Sequence, residues 1–325
     1  MDYIVLDLEW NQAVDGKEGE NEKIPFEIIE IGAIKLNSDF EEVSRFSQVI
    51  KPEVYLKMHH VMKQLVHINK DELMQGKPFR DVAASFMEWC GNDYIFCTWG
   101  QLDLMEFQRN MEYYEMPPLC TGPLRFYDVQ KLFSLAYDDG KSRVALETAV
   151  DHLEVEKDAD FHRAFSDAYY TARIFRLLRK PEIMEKVSFD LYHLPKSRKD
   201  EVYIVFSDYA KFISREFTDK AEAMEDKQVS SMKCYLCNKN IRRKIKWFTP
   251  NGKHYYGVAA CDVHGLIKYK IRMKKSREEK VYVIKTSKQT DEDGLLRVKE
   301  KKEKARILRQ QKRHMKADKT KQIKA

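Results

Sequence analysis

The chain has 325 residues, 43% hydrophobic and 34% charged, which is enough apolar material for a core and too much charge for all of it to be packed. No run of about 18 apolar residues occurs, which excludes an ordinary membrane-spanning helix; the short acidic opening Met1-Asp2-Tyr3-Ile4-Val5-Leu6-Asp7 does not read as a secretory signal, so a cytosolic protein is expected. The net charge of +6 hides an asymmetry: residues 265–325 carry 22 Lys+Arg against 8 Asp+Glu, and residues 1–264 carry 36 against 44.

In chain order, Tyr3–Trp10 reads as a strand, and the polar stretch Ala13–Lys23 as a loop. Glu27–Leu36 and Phe46–Ile50 read as second and third strands, the last ended by Lys51-Pro52. Short connections favour an antiparallel start to the sheet. Val82, Phe86 and Trp89 at spacings of four and three predict a helix over Pro78–Gly91. Tyr94–Thr98 reads as a short strand. Leu104, Phe107, Met111 and Tyr114 mark the next helix, which stops before Pro117-Pro118. Phe126–Leu135 starts a further strand or helix, and Val144–Leu153 and Arg163–Leu178 are expected to be helical. This alternation predicts an α/β domain over residues 1–180 with a mixed sheet.

Residues 181–230 read as a connecting segment, strand-like at Val202–Phe206 and helical over Tyr209–Met224. Residues 231–270 form a cysteine/histidine module. Residues 271–325 form a basic extension, with a last strand at Val281–Lys285 and a helix or loose tail from Leu295.

The chemistry-bearing residues fall in three groups. Asp7 and Glu9 are two apart on a strand, so alternation places both carboxylates on one face. Such a pair repels unless donors or a cation compensate, and a hard divalent cation does so well; the competing reading is a solvated strand face. Asp103 follows a short strand at the head of a helix, where dipole-favourable helix initiation is the plainer account. His162 stands at a helix entry, with Asp167 five residues on; a lone histidine there is usually structural.

Taken in order, Asp7-x-Glu9, Trp99-Gly100-x-x-Asp103 and His162-Arg163-Ala164-x-x-Asp167-Ala168 resemble the DEDD exonuclease superfamily in its histidine-containing (DEDDh) branch. Glu27-Ile28-Ile29-Glu30-Ile31-Gly32-Ala33 resembles its second strand. Thr98-Trp99-Gly100 is most similar to the RNA-interference-regulating exoribonucleases and their bacterial sporulation-inhibitor relatives. The resemblance covers roughly the first 180 residues. It implies an RNase H-like fold, two Mg²⁺ or Mn²⁺ ions on Asp7, Glu9, Asp103 and Asp167, and His162 as general base. It implies release of nucleoside 5′-monophosphates from a free 3′ end, with substrate contacts at Leu8, Trp10, Trp99 and Gly100. Two cations about 4 Å apart suit in-line phosphodiester hydrolysis, and neutral imidazole is available near pH 7. The chain departs from the pattern at Trp10, where relatives carry Thr, at Val66-His67-Ile68, where they carry Thr-Gly-Ile, and at Ser166, where they carry an acid.

Cys234-x-x-Cys237 and Cys261-x-x-His264 are two knuckles of the spacing that a structural tetrahedral Zn²⁺ takes. Between them, Lys244–Phe248 and His254–Tyr256 flank the turn Pro250-Asn251-Gly252, a zinc-ribbon-like layout. Arg242, Arg243, Lys244, Lys246 and Trp247 interleave cations and an aromatic ring and are the expected nucleic-acid contacts; a ribbon core with a solvated face accounts for them equally well. The basic tail Lys299–Lys324 adds sequence-independent affinity for a polyanion. The expected protein is thus a metal-dependent 3′-to-5′ exonuclease acting on RNA or single-stranded nucleic acid, with no membrane and no small-molecule cofactor. A non-catalytic nucleic-acid-binding zinc protein and a DNA repair or proofreading exonuclease remain the alternatives.

Overall fold

A computed structural model of the chain describes residues 1–65 and 68–324, without the side chains of Leu65, Lys70 and residues 313–324. The described chain divides into two compact units, residues 1–193 and 194–325.

The first unit is a six-stranded sheet between two helical layers. Strands β1 (Asp2–Asn11), β2 (Glu27–Leu36) and β3 (Glu42–Val49) form an antiparallel meander. Short helices α1 (His60–Leu65) and α2 (Lys70–Met74) follow, then α3 (Phe79–Cys90). Strand β4 (Tyr94–Thr98) runs parallel to β1, and helix α4 (Leu102–Tyr113) leads to β5 (Leu124–Asp128), parallel to β4. Helices α5 (Val129–Tyr137), α6 (Leu146–His152), α7 (Ala164–Leu177) and α8 (Pro181–Met184) come next. Strand β6 (Ser188–Asp190) closes the edge, giving the order β3-β2-β1-β4-β5-β6.

Strand alternation decides which layer each residue faces. Ile4, Leu6 and Leu8 of β1 join a core with Val82 and Phe86 of α3 and Leu104 and Phe107 of α4. Tyr3 faces the other way, against Phe40 and against Phe175 of α7. Asp7 and Glu9, four and six positions from Tyr3, share that second face by their even spacing. Across the sheet they pair with Gly32 and Glu30, and a bulge follows at Glu9/Trp10.

The second unit is an all-antiparallel sheet ordered β7-β8-β12-β11-β10-β9. Its elements are β7 (Val202–Val205), β8 (Tyr209–Ile213), α9 (Lys220–Glu225), α10 (Lys227–Ser230), β9 (Arg242–Phe248), β10 (His254–Cys261), β11 (Gly265–Lys275), β12 (Val281–Thr290) and α11 (Glu292–Lys324).

Three expectations change here. Tyr209–Met224 is not one helix: buried Ala210 and Phe212 alternate as a strand does, and a new helix starts only where Asp219 caps Ala221 and Glu222. The connecting segment 181–230 is divided, since residues to 193 complete the first sheet and the rest belong to the second unit. The cysteine module and the basic extension do not separate at residue 270, because β11 and β12 extend the hairpin sheet that carries the knuckles.

Candidate active site

The last catalytic candidates reach the sheet through a close approach of helix to strand. A Cβ on Gly32 would lie 2.1 Å from the backbone of Ala164 and Phe165, so the first turn of α7 rests directly on the glycine opposite Asp7. Next to it, Glu30 is 1% exposed and receives Arg163 through Nε at 3.1 Å and Nη2 at 2.9 Å, plus the Ala164 N–H at 3.1 Å. Buried charge is tolerated when paired and hydrogen-bonded in this way. Arg163 also reaches Glu72 of α2 at 2.9 Å. Glu30 therefore fixes the helix entry that holds His162 and Asp167.

Asp7, Glu9 and Asp167 bring carboxylate oxygens within 4.8 Å of one another. Asp103, 6% exposed in the first turn of α4, lies close enough to raise the proton affinity of Asp7 and accepts the backbone N–H of Leu8. Burial first, then the neighbouring acids, pushes Asp7 well above the usual carboxylate range and Glu9 up to about 8. Burial also lifts Asp103 to about 7 and Asp167 to about 6. One buried oxygen, Asp167 Oδ1, accepts no hydrogen bond. A convergent set of hard oxygens with an unpartnered lone pair suits a divalent cation such as Mg²⁺.

His162 is exposed, has φ 67°, and donates its backbone N–H to Asp167 Oδ2 at 3.3 Å. The left-handed turn thus couples the histidine to the acid five residues on. All five expected catalytic residues lie in the first unit.

The expected substrate contacts fare differently. Leu8 is packed into the core, so its backbone N–H, not its side chain, serves the site. Trp99 spends its Nε1 on the Val144 carbonyl at 3.2 Å, which Gln130 shares at 2.9 Å; it pins the loop before α6. Trp10 is partly buried and tilted against Phe26. Gly100 has φ 112°, a backbone state that side chains resist. Of the segment Val66-His67-Ile68, Val66 and His67 lie outside the described residues.

Glu30, Gly32, Arg163 and Glu72 were not singled out from the sequence as site residues. The available signal was two acids, Glu27 and Glu30, inside an otherwise apolar strand. Glu27 is also buried, and accepts the N–H groups of Glu53, Val54 and Tyr55. With Asn11, which binds the Tyr55 and Lys57 carbonyls, it fixes the chain leading into α1.

In the second unit, Cys234, Cys237, Cys261 and His264 converge. Cys237 and Cys261 sulfurs are 3.8 Å apart, and His264 Nδ1 lies 3.4 Å from Cys234 and 3.6 Å from Cys261. Tetrahedral bonds of about 2.3 Å to sulfur and 2.0 Å to nitrogen give edges of about 3.8 and 3.5 Å. Backbone N–H groups of His264 and Val263 lower the Cys261 thiol to about 6, favouring thiolate. Trp247 is not a free stacking platform: it is partly buried, donates to the Ser230 carbonyl at 2.7 Å and meets Tyr269 edge-on. Arg242, Arg243, Lys244 and Lys246 are exposed.

Comparison with known proteins adds independent information. The family described as Exonuclease (RNase_T) matches residues 4–175. The probable 3′-5′ exonuclease KapD of Bacillus subtilis (strain 168) is 24% identical over 178 residues, covering 54% of this chain and 84% of that protein. Among solved structures, the nuclease domain of 3′hExo, a DEDDh family member bound to rAMP, is 20% identical, with a TM-score of 0.47, over 55% of this chain and 90% of that one. Exonuclease I of E. coli in complex with a dA16 oligonucleotide is 16% identical, with a TM-score of 0.46, over 56% of this chain and 42% of that one.

Proposed function

Since this chain belongs to the exonuclease family, we propose that it shortens RNA, or another single-stranded nucleic acid, from the 3′ end, using Asp7, Glu9, Asp103, His162 and Asp167. The observation that carries the reading is the convergence of Asp7, Glu9 and Asp167 around the unpartnered Asp167 Oδ1. Asp7, Glu9 and Asp167 would hold one Mg²⁺ or Mn²⁺, and Asp103 with Asp7 a second. Divalent cations so held supply Lewis acidity to the phosphate and lower the pKa of water.

The chain's own groups do the rest. His162, on its constrained turn, accepts the proton of the attacking water at a ring nitrogen. The Glu30–Arg163 pair keeps that turn in place. The Leu8 N–H favours the charged form of the Asp103 carboxylate. The products are a nucleoside 5′-monophosphate and an oligonucleotide with a new 3′ hydroxyl. Cys234, Cys237, Cys261 and His264 would hold a structural Zn²⁺, since four protein ligands leave no open position for chemistry. Among the described residues no helix is long and apolar enough to cross a membrane. A zinc-binding set of thiolates suits a reducing, cytosolic setting.

The test is a comparison of 5′-labelled RNA and DNA oligonucleotides with Mg²⁺ or Mn²⁺. A ladder shortening from the 3′ end, absent without the cation and absent in Asp167→Asn, is expected. Binding without shortening under every cation sinks the enzymatic reading. Faster turnover of DNA than of RNA would make single-stranded DNA, not RNA, the preferred substrate within that class.

A further inference from the structure

The six strands of the second unit carry twelve Lys and Arg and not one Asp or Glu. The chain holds 52 acids in 325 residues, so about seven would be expected in these 45 positions. The cations are not spread evenly. On β11, Ile267, Tyr269, Ile271 and Met273 point into the core, so alternation puts Lys268, Lys270 and Arg272 together on the opposite face. Register places Arg272 across from His254, and Lys270 across from Tyr256, on β10. Helix α11 crosses the same sheet through Leu295 and Val298, bringing Lys301 Nζ over the Tyr256 ring at 4.3 Å.

Among the described residues, Lys268, Lys270, Arg272 and Lys301 form no ion pair, although acids abound elsewhere in the chain. Asp291 lies near Lys268, but its carboxylate is engaged by the Gly294 N–H at 2.8 Å. Lys270 is held below its ordinary proton affinity by burial and by Arg272, Lys301 and Lys268, and His254 by burial and by Lys270, Arg272 and Lys301. Like charges held together on a rigid sheet cost stability unless a polyanion relieves them.

We propose that the Lys268–Lys270–Arg272 ladder, with His254 and Lys301, is a binding track for the phosphate backbone of single-stranded nucleic acid. Cations two residues apart on a strand repeat at about 6.6 Å, close to the phosphate repeat of an extended single strand. The track is distinct from the exposed cations of β9. Its choice of nucleic acid over other polyanions rests on the exonuclease reading of the same chain. A track joined covalently to a nuclease raises the local concentration of long substrates, so it acts on their KM and leaves short substrates alone.

The experiment uses the full chain with Lys268→Gln, Lys270→Gln and Arg272→Gln together, and a charge-keeping set, Lys268→Arg, Lys270→Arg and Arg272→Lys. Binding of a fluorescent 20-nucleotide single strand, RNA and DNA in separate arms, is measured in an Asp103→Asn background with metals left in place. Hydrolysis of a trinucleotide and of the 20-mer is measured in the active protein. The Gln set should weaken 20-mer binding at least about fivefold at 0.1 M salt and cut the salt slope by about 2. It should raise KM for the 20-mer, leave trinucleotide hydrolysis unchanged, and be rescued by the charge-keeping set. Unchanged affinity and salt slope, with the trinucleotide still cut, overturns the track and leaves the exonuclease standing. No hydrolysis of either substrate by the unmutated protein overturns the exonuclease reading itself. Loss of binding to anionic lipid vesicles, with RNA and DNA affinity intact, assigns the surface to a membrane and also overturns the proposal.

Discussion

Asp7, Glu9, Asp103 and Asp167 behave as one unit because neighbouring acids raise one another's proton affinity. Replacing His162 by Ala removes the proposed proton acceptor but leaves the carboxylates. A fall in kcat of about 10²- to 10⁴-fold is expected, with unchanged cation affinity by titration. The acids themselves make stability depend on pH in an unusual direction. In the folded protein, Glu9, Asp103 and Asp167 sit at about 8, 7 and 6, against about 4 for the unfolded chain. The fold therefore keeps protons that the unfolded chain releases, so this contribution is complete below about pH 4 and is lost as pH rises through 6 to 8. Protein freed of Mg²⁺ and Mn²⁺ should melt at a lower temperature at pH 8.5 than at pH 5. Added Mn²⁺ should raise the melting temperature more at pH 8.5, and Glu9→Gln should flatten the metal-free profile. A melting temperature independent of pH without metal contradicts the charge crowding described for the site.

At the scale of elements, the contact between β2 and α7 governs the site. Gly32→Ala places a methyl group against backbone that cannot rotate away, and a cost of about 1–3 kcal/mol in urea unfolding is expected, together with loss of activity. Glu30→Ala leaves the Arg163 charge without its main partner and should cost about 3–5 kcal/mol. Glu72→Gln weakens a part-exposed acceptor that shares Arg163 Nη2 with Glu30, so its cost in urea unfolding should be no more than about 1 kcal/mol. These contacts also show what could be read in one dimension. Each acid alone has a plainer account, so the set was legible only through its joint order and the resemblance that order carries; the two metal knuckles were legible from their paired two-residue spacing. The Glu30–Arg163 pair was not, since its partners are 133 positions apart and pairing leaves no local pattern. Trp99, just past β4, and Trp247, within β9, could not be resolved because a tryptophan looks the same in sequence whether it stacks on a base or fills a core. Tyr209–Met224 misled because a five-residue strand and a capped short helix together imitate one long amphipathic run.

At the scale of the molecule, both units have buried apolar clusters, and in the second the proposed zinc would also tie the hairpin end together through Cys234, Cys237, Cys261 and His264. The binding energy of a metal held there would add to the folding energy of that unit. A strong zinc chelator should abolish one of two calorimetric transitions, and the other should persist. Trinucleotide hydrolysis should survive once Mg²⁺ is restored. Loss of both transitions together would show that the first unit does not stand by itself.

The seating of α7 on Gly32 also sets a clock on the ribosome. Asp7 and Asp167 are separated by 160 positions, and the first strand cannot acquire its last carboxylate until the helix that bears it has been made. At about 5–20 residues per second, Asp7 emerges roughly 8–30 s before Asp167. During that interval the growing chain lacks the third of the carboxylates that converge with Asp7 and Glu9, so the site closes only when α7 docks.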